Sequence, residues 1–478
     1  MMSVGISSLS AYVPYYRLKR ESIARAWERR AIKGERGVAN TDEDSLTMAV
    51  EAAISCLQNS DRQEIDALYF ASTTAPYAEK SIASTIAVVC DLKDDLVTSD
   101  FSNSTKAGTG ALNAAINAVK AKSATKALVT AADCRNGFPK SDQEQLFGDA
   151  AAALVIGSED LVAEVVETYS VNTEIIDVWR NVGEKYVNHG EGRFITDKGY
   201  IAAMTQAVKG ILKKAGKKPE DIQKVVLTTP GLKDNAAVAK KTGFIPEQIQ
   251  DSYMLQIGYC GTAQPLLLLS AALEEAKPGD LILLAAYGNG ADAFLFQVTD
   301  QVSKIQQKPS VKAALKNKRT LESYSRYLSF RDLLETVPGE PFRTFPSNSA
   351  YWREQKGILR LYGSKCTNCG QGIFPINRVC PSCGAKDEFK EVRLSDRHAK
   401  VFTYSIDNLA GRGDDPVVVQ TVAEDSEDFR YYLLMTDFNN EEVKVGMEVE
   451  FTFRKIYEGG NYINYFWKCR PVRNGGDQ

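Results

Sequence analysis

Four cysteines in the last quarter of the chain have the residue type and the spacing of a metal site. Cys366-Thr-Asn-Cys369 and Cys380-Pro-Ser-Cys383 form two C-x-x-C pairs ten residues apart, and a glycine follows each pair directly. Together they supply four thiolates, the ligand set of a tetrahedral structural zinc site. Disulfides and a redox-active C-x-x-C are the competing interpretations, but no strand–helix context of the thioredoxin type surrounds either pair. A site closed by four thiolates has no open coordination position, so we predict that it holds a fold and does no chemistry.

Length and composition describe an ordinary globular protein. The chain has 478 residues, of which 44% are hydrophobic and 25% charged, and a formal net charge of −3. That length suits two or three domains. We find no segment of the signal-peptide type and no apolar run long enough to span a membrane. The remaining cysteines are a scattered, odd-numbered set, which predicts a reducing cytoplasm. Without a basic face, a nucleic-acid partner is not expected.

Up to about residue 300, apolar β-branched runs alternate with segments of helical spacing. This pattern predicts an α/β protein with buried sheets. The expected strands begin at Ile65, Lys126 and Val225. The expected helices cover residues 42–57, with Thr41 or Asp42 as the first residue, and residues 107–119, 199–215 and 265–275.

An internal repeat makes the prediction more specific. Phe147-Gly-Asp-Ala-Ala-Ala-Ala-Leu-Val-Ile resembles Tyr287-Gly-Asn-Gly-Ala-Asp-Ala-Phe-Leu-Phe, and both stretches follow an apolar strand. A strand, a glycine turn and a strand of small residues therefore occur twice. This predicts one α/β unit duplicated in tandem. Chance similarity between glycine- and alanine-rich strands is the alternative.

The remainder of the chain changes character. Residues 312–334 have helical spacing within a polar, basic stretch, which predicts a connecting helix with a solvated face. After the cysteine pairs, five short alternating strands predict a small β-barrel of the OB type. The expected domains are two α/β halves, a basic helical linker, a zinc ribbon and a barrel, at residues 1–160, 161–300, 301–345, 346–395 and 396–478.

These features together resemble a known family. Residues 34–45, Phe147-Gly-Asp-Ala, residues 272–284 and Ala286-Tyr-Gly-Asn-Gly are similar to the thiolase superfamily. The resembling branch is that of 3-hydroxy-3-methylglutaryl-CoA synthases and type III ketoacyl synthases. The last 130 or so residues resemble the rubredoxin-like zinc ribbon plus OB domain that accompanies such enzymes. The resemblance implies a duplicated thiolase fold with αβαβα layers, then a zinc ribbon and an OB-type barrel. It also implies structural Zn2+ and a coenzyme A thioester as substrate.

The catalytic positions depart from that family. Its enzymes carry a nucleophilic cysteine at a helix N-terminus, and here that position falls on Thr105 or, one residue off, on Ser104. The family histidine corresponds to Thr228, and the family asparagine corresponds to Tyr259. The glutamate of the synthases corresponds to Thr73. A threonine hydroxyl ionises far less readily than a thiol, so acylation at this position is disfavoured.

Two chemistries remain open for this site. Aldol or retro-aldol reaction of a β-hydroxyacyl-CoA needs no acyl-enzyme, only an acid/base and dipoles that stabilise a thioester enolate. Tyr259 is our candidate acid/base, with Thr105 and Thr228 in the oxyanion hole. The alternative is acyl transfer of the synthase or thiolase type through Cys260 or a partner subunit. A third hypothesis is a catalytically silent subunit that binds CoA.

The remaining candidates concern the histidines, CoA and assembly. The chain has two histidines, and His189 lies in a glycine-rich loop. It is either solvated or an acid/base that reaches the substrate. We expect Tyr351 and Trp352 to cradle the pantetheine arm of an acyl-CoA. The resemblance implies a homodimer through the thiolase halves, with a further enzyme subunit left open.

Overall fold

The structure is a computed structural model that describes residues 3–306, 310–335, 346–411 and 416–472. It separates into two compact units. One consists of residues 1–39 and 44–327, and the other of residues 40–43 and 328–478. Parts of the predicted linker (307–309 and 336–345) and of the predicted barrel (412–415 and 473–478) lie outside the described residues.

The first unit alternates strands and helices. Its strands are β1 (Gly5–Tyr12), β2 (Tyr16–Lys19), β3 (Glu35–Val38), β4 (Ile65–Ala71), β5 (Val97–Phe101), β6 (Lys126–Asp133), β7 (Ala150–Gly157), β8 (Ala163–Asn172), β9 (Val178–Trp179), β10 (Asn188–His189), β11 (Lys224–Leu227), β12 (Leu281–Tyr287), β13 (Gly290–Val298) and β14 (Arg319–Thr320). Its helices are α1 (Arg20–Ala26), α2 (Ser45–Cys56), α3 (Ile82–Val89), α4 (Ala107–Lys120), α5 (Asp142–Leu146), α6 (Gly192–Phe194), α7 (Ala202–Ala215), α8 (Asp234–Thr242), α9 (Gln264–Glu274), α10 (Ser303–Gln306) and α11 (Val311–Lys316). Helix α12 (Tyr324–Phe330) follows, and the boundary between the units falls within it.

The sheet of the first unit confirms the duplication. Its nine strands run in the order β11-β12-β13-β8-β1-β7-β6-β4-β5. In the first half β1, β7 and β6 pair antiparallel and β6 pairs parallel with β4. In the second half β8, β13 and β12 pair antiparallel and β12 pairs parallel with β11. The two glycine turns of the sequence repeat precede β7 and β13, which occupy equivalent places in the two halves.

Helices α4 and α9 form the central layer. Both contribute to one hydrophobic core together with strands of both halves, such as β1, β7 and β12. Every residue of α9 except Glu274 is buried, as expected for a helix that is apolar on all sides. Helix α7 is amphipathic instead and buries one face, including Met204, Val208 and Ile211, in a second core with β12 and β13. This layering places the N-terminus of α4 inside the protein.

Two sequence predictions about helices were wrong in detail. Helix α2 begins at Ser45 and not at Thr41 or Asp42, because Asp44 is its N-cap. The Asp44 side chain accepts the N–H of Thr47, and the Thr47 hydroxyl accepts the N–H of Asp44, a reciprocal capping box. The single helix expected over residues 312–334 is instead two short helices, α11 and α12, separated by strand β14. Strand β14 pairs parallel with β2, so tertiary pairing overrides local helical spacing there.

The second unit contains helices α13 (Asn348–Arg353) and α14 (Gln355–Ile358) and two β structures. A three-stranded sheet consists of β15 (Tyr362–Cys366), β16 (Gly372–Ile373) and β17 (Phe389–Arg393). A closed barrel in the order β18-β19-β20-β22-β21 consists of β18 (His398–Asp407), β19 (Val418–Asp425), β20 (Arg430–Met435), β21 (Glu448–Gly459) and β22 (Tyr462–Pro471). The predicted ribbon followed by a small barrel is thus confirmed.

Two further observations bear on the sequence analysis. No helix in the part of the chain that the structure describes combines the length and the apolar character needed to cross a bilayer. All nine cysteines lie in described residues, and all nine are free thiols in the structure.

Candidate active site and metal centre

Two threonines that the sequence analysis selected, Thr105 and Thr228, both hydrogen-bond to the backbone of Tyr287. Thr105 precedes α4, and its hydroxyl donates to the carbonyl of Tyr287 at 3.1 Å. Thr228 follows β11, and its Oγ1 accepts the N–H of Tyr287 at 3.2 Å. Strands β11 and β12 are parallel neighbours, so their carboxyl ends reach the same edge of the sheet. Both threonines are buried.

Tyr259 lies beside this pair, on the loop that precedes α9. Gly258 has a φ of +87°, and a Cβ there would lie 2.6 Å from the carbonyl oxygen of Leu146, so only glycine fits this turn. The Tyr259 ring packs near Phe147, with the Arg135 guanidinium 5.7 Å from the ring centroid. Burial raises the pKa of the Tyr259 phenol, while the Arg135 charge and the Thr105 hydroxyl act in the opposite direction. A phenol with a raised pKa stays protonated at neutral pH and can serve as an acid.

Cys260 follows Tyr259 in the chain but faces away from this cluster. Its side chain is fully buried in the hydrophobic core that contains α4 and α9. Its Sγ lies 3.5 Å from the carbonyl oxygen of Gly258. Burial raises the pKa of the Cys260 thiol far above its usual range, whereas nucleophilic cysteines are partly exposed and have lowered pKa values.

His189 is exposed on the two-residue strand β10, where it pairs with Val178. Its Nδ1 lies 3.0 Å from the carbonyl oxygen of Gly190. This hydrogen bond is to the adjacent residue and does not join His189 to Thr105, Thr228 or Tyr259.

A second tyrosine and a carboxylate belong to the same cluster, and the sequence analysis did not select them. The Tyr287 phenol donates to Asp177 Oδ2 at 2.7 Å. Both side chains are buried. The rings of Tyr200 and Tyr287 meet edge to face with centroids 5.5 Å apart. The sequence does contain a signal for Tyr287. The equivalent position of the internal repeat is Phe147, so Tyr287 differs from it by a hydroxyl group. Asp177 lies in an irregular stretch with no motif.

A buried carboxylate, Asp133, accepts hydrogen bonds from two loops near the candidate site. At the end of β6, its Oδ1 accepts hydrogen bonds from the side chains of Ser72, Thr73 and Thr74 and from the N–H of Thr73. Its Oδ2 accepts the N–H of Thr262. Asp133 thus holds Thr73, which the sequence motifs predict to correspond to the glutamate of the synthases, and the turn that follows Cys260. Each carboxylate oxygen is satisfied by these neighbours, which suits a structural role.

The four predicted zinc ligands converge in the second unit. Their sulfur atoms all lie within 4.8 Å of one another. Cys366 and Cys383 are 3.7 Å apart at sulfur, and Cys369 and Cys380 are 3.6 Å apart. A tetrahedral site with Zn–S bonds of about 2.3 Å separates its sulfur atoms by roughly 3.8 Å, so the arrangement fits Zn2+.

Local backbone geometry explains this convergence. The N–H of Gly370 donates to the carbonyl of Cys366, and the N–H of Gly384 donates to the carbonyl of Cys380, both at 2.9 Å. Gly370 and Gly384 have φ values of +80° and +76°, the left-handed conformation that closes each knuckle. Hydrogen bonds from the Asn368 side chain and the backbone of Ala385 lower the pKa of Cys383 to about 6, which favours the thiolate that a metal requires.

A cavity of about 520 Å³ lies beside the barrel. Its walls are mostly apolar and aromatic side chains of α13, α14 and strands β20, β21 and β22, with Ser347 and Asn464 as further polar groups and no charged side chain among the described residues that line it. Tyr351, predicted to contact CoA, is part of this wall, together with Ile358, Tyr457, Tyr462 and Trp467. Trp352, predicted with it, is 73% exposed and does not line the cavity.

Two family models match the chain. The C-terminal domain of 3-oxoacyl-[acyl-carrier-protein] synthase III matches residues 212–296. The ChsH2 rubredoxin-like zinc ribbon domain matches residues 353–388, the segment that contains the four cysteines. Both matches agree with the resemblance that the sequence motifs indicated, and the second supports zinc as the metal of the ribbon.

Curated relatives match about two thirds of the chain. The hydroxymethylglutaryl-CoA synthase of Methanopyrus kandleri is 35% identical over 344 residues, which cover 70% of this chain and 98% of that protein. The enzyme of the same name from Methanosarcina mazei is 36% identical over 341 residues, covering 68% and 97%.

Solved structures share the fold. An HMG-CoA synthase crystallised with CoA aligns with a TM-score of 0.64 and 18% identity over 72% of this chain and 95% of that one. The 3-oxoacyl-[acyl-carrier-protein] synthase III of Aquifex aeolicus aligns with a TM-score of 0.56 and 23% identity, covering 62% and 99%. The expected duplicated fold of the thiolase type is confirmed.

Proposed function

The chain belongs to the hydroxymethylglutaryl-CoA synthase family, and on that premise we propose that it processes acyl-CoA by making or breaking a carbon–carbon bond next to the thioester. The relatives named hydroxymethylglutaryl-CoA synthase support this general class of reaction. We further propose that the chemistry is of the aldol or retro-aldol type, on a β-hydroxyacyl-CoA and without an acyl-enzyme. The observation that carries this proposal is a threonine, Thr105, at the N-terminus of the buried helix α4.

In the proposed reaction Tyr259 acts as an acid. Its phenol is buried, and burial raises its pKa, so the neutral form is available to donate to the developing enolate oxygen. Thr105 and Thr228 are the proposed oxyanion-hole hydroxyls of the same cluster, since both lie against Tyr287; Thr105 would turn its hydroxyl from the Tyr287 carbonyl toward the substrate oxygen. None of these groups needs to become a nucleophile.

Burial argues against the covalent alternative. A thiol at Cys260 would have to leave the core and ionise in apolar surroundings before it attacked a thioester,. A covalent mechanism in this chain would therefore need a nucleophile from a partner subunit. His189 is exposed and hydrogen-bonded to its neighbour, so we give it no proton-transfer step.

We assign the pantetheine arm of CoA to the second unit. Among the described residues, the cavity that Tyr351 lines has apolar and phenolic walls, the polar groups of Ser347 and Asn464, and no charged side chain, which suits the uncharged arm of CoA and not its phosphates. Trp352 follows Tyr351 in the chain and is exposed, and we propose that it contacts the same arm. The zinc ribbon has a structural role.

A homodimer through the first unit is part of the proposal. Strand β5 ends the nine-stranded sheet, and its burial pattern is largely exposed, with Val97 59% exposed. An edge strand of this kind pairs readily with another strand. We propose that β5 pairs with β5 of a second copy.

A second candidate function is a CoA-binding subunit without chemistry of its own. Burial favours it, since Thr105, Thr228 and Tyr259 are 8%, 2% and 5% exposed. In that case the phenol of Tyr259 only fills the space that the family's catalytic side chains occupy.

Product analysis distinguishes these functions. The protein is incubated with a panel of β-hydroxyacyl-CoAs and β-ketoacyl-CoAs, with and without free CoA, and products are separated by liquid chromatography. The proposal predicts cleavage to an aldehyde or ketone plus a shorter acyl-CoA, independent of free CoA, and a loss of at least 100-fold in Tyr259→Phe. Cleavage that requires free CoA would contradict it, and turnover only after addition of another subunit would favour the silent subunit.

A further inference from the structure

The reaction proposed above needs a group that accepts the β-hydroxyl proton, and Tyr259 is not suited to that role. The proposed function already uses its phenol as the acid that donates to the enolate oxygen. An enzyme that uses one group as an acid needs a second group in a different environment as the base. Asp177 is a buried carboxylate in contact with the same cluster through the Tyr287 phenol.

We propose that Asp177 and Tyr287 form a proton relay, in which Tyr287 contacts the β-hydroxyl of the substrate and Asp177 receives the proton. This inference rests on the proposed function and extends it by assigning the base. Tyr287 is the catalytic residue in this relay, and Asp177 acts through it.

The position of Tyr287 supports the relay. Its backbone carbonyl and N–H bind the hydroxyls of Thr105 and Thr228, so its backbone is fixed in the candidate site, while its ring packs in the second core with residues of α7. Its phenol donates to Asp177 Oδ2 at 2.7 Å, and the other oxygen of Asp177 accepts the N–H of Val178 at 2.6 Å. Proton transfer along an existing short hydrogen bond requires no movement of either side chain.

A glycine makes room for this phenol. A Cβ at Gly199 would lie 2.5 Å from the Tyr287 hydroxyl oxygen, so any side chain there would displace it. Gly199 belongs to a π-helical stretch, Ile195–Ile201, immediately before α7. Such π-helical turns occur frequently at functional sites. The local backbone thus fits the hydroxyl group itself, which a phenylalanine at position 287 would lack.

The other buried carboxylates near the site are occupied differently. Asp133 accepts hydrogen bonds from the backbone and hydroxyls of its own wall. Asp292 accepts the Thr109 hydroxyl at 2.8 Å and lies 4.0 Å from Lys106 Nζ. Asp177 is the one of these three whose partner is a phenol, a group that can both give and take a proton.

The relay balances without a further reactant. In the cleavage direction the β-hydroxyl proton passes to Tyr287 Oη while the phenol proton passes to Asp177. The electron pair of the O–H bond forms the new C=O bond, and the pair of the Cα–Cβ bond moves to Cα as the thioester enolate. After the carbonyl product leaves, the proton returns from Asp177 through Tyr287 to Cα. One β-hydroxyacyl-CoA thus gives one carbonyl compound and one shorter acyl-CoA.

The test compares Tyr287→Phe and Asp177→Asn with a matched control, Tyr169→Phe. Tyr169 lies in β8, with its ring against Gly210 of α7, and loses the same hydroxyl away from the site. We expect Tyr287→Phe and Asp177→Asn to lower kcat for cleavage at least 100-fold, with KM changed less than about threefold. The control should stay within about twofold of the unmodified protein.

A second substitution separates proton transfer from structural support. 3-Fluorotyrosine at position 287 keeps the shape of the side chain but acidifies the phenol. A relay predicts that the pH profile of kcat shifts to lower pH, whereas a structural role predicts an unchanged profile. Cleavage that persists in Tyr287→Phe above a tenth of the original rate would overturn the relay alone. An unmodified protein that cleaves no member of the panel would overturn the proposed function and the relay with it.

Discussion

At the scale of single residues, the candidate site is a cluster of hydroxyl groups. We predict from the sequence motifs that Thr105, Thr228 and Tyr259 stand where the family has a nucleophile, a base and an amide. Thr105 and Thr228 are both held by the backbone of Tyr287. In these positions the two hydroxyls make hydrogen bonds to backbone, and a threonine hydroxyl would need an adjacent base before it could capture an acyl group.

The environment of Cys260 gives a direct prediction. Because the thiol is buried and its pKa is raised, we expect it to resist alkylation by iodoacetamide in the folded protein at pH 7.5. Mass spectrometry of peptides should find Cys260 labelled only after denaturation. Cys134, which is also buried, serves as the internal comparison. Rapid labelling of Cys260 alone in the folded protein would contradict the prediction and support Cys260 as a nucleophile.

At the scale of elements, the close approach of α4 to the loop before α9 positions the site. A Cβ at Gly108 would lie 2.2 Å from the carbonyl oxygen of Thr262. That carbonyl belongs to the turn that Asp133 holds through the N–H of the same residue. The helix N-terminus and the turn beside Tyr259 are therefore fixed against each other by backbone contacts.

Two glycines of α4 provide a matched test of this contact. Gly108→Ala should destabilise the protein by more than about 2 kcal/mol, because the added methyl group meets backbone. Gly110→Ala should be neutral or stabilising by up to about 1 kcal/mol, since alanine is the better helix former and the nearest atom is a Phe101 ring carbon 3.7 Å from the new Cβ. Chemical denaturation measures both, and equal effects would refute the packing argument.

The ribbon gives the second prediction at this scale. We expect one equivalent of zinc per chain, which a thiol-modifying reagent releases. The Cys369→Ser/Cys383→Ser protein should contain no zinc. In both zinc-free forms, residues 362–393 should lose their resistance to protease. Elemental analysis and limited proteolysis measure this. Full resistance of the zinc-free protein would show that the metal does not stabilise the ribbon.

Sequence patterns predicted several helices closely. The predicted helices at residues 107–119 and 265–275 agree with α4 and α9 to within one residue at each end, because apolar spacing reflects burial directly. The predicted start of α2 is wrong because the capping box between Asp44 and Thr47 begins the helix at Ser45. Asp177 was missed because its role depends on a hydrogen bond to Tyr287, 110 residues away along the chain, and no local pattern encodes such a contact.

At the scale of the whole molecule, neither compact unit is one continuous stretch of the chain. Residues 40–43 belong to the second unit. Within that unit Arg454 is fully buried and pairs with Glu43 at 2.5 Å and Asp437 at 2.8 Å. Lys468 pairs with Asp42 at 2.8 Å. Buried ion pairs of this kind are strongly destabilising when one partner is lost.

This cluster predicts acid sensitivity. Burial by itself would raise the pKa of Asp42, but the charges of Lys468 and Arg454 outweigh it and hold the pKa at about 2. A depressed carboxyl pKa contributes stability that is present above about pH 4 and is lost as pH falls toward 2. We expect the unfolding free energy to decline by about 2 kcal/mol across that range from this group. Asp42→Asn should remove this part of the decline, and an unchanged pH dependence would contradict the prediction.

The most direct test of the central claim is the intact mass of the protein during turnover. The protein is mixed with the β-hydroxyacyl-CoA that it cleaves fastest, and the reaction is quenched in acid within the first turnovers. The intact mass of the protein is then measured by mass spectrometry. The account predicts an unmodified chain at every time point while acyl-CoA and carbonyl product accumulate. A transient mass increase equal to the acyl group would show a covalent acyl-enzyme and contradict it.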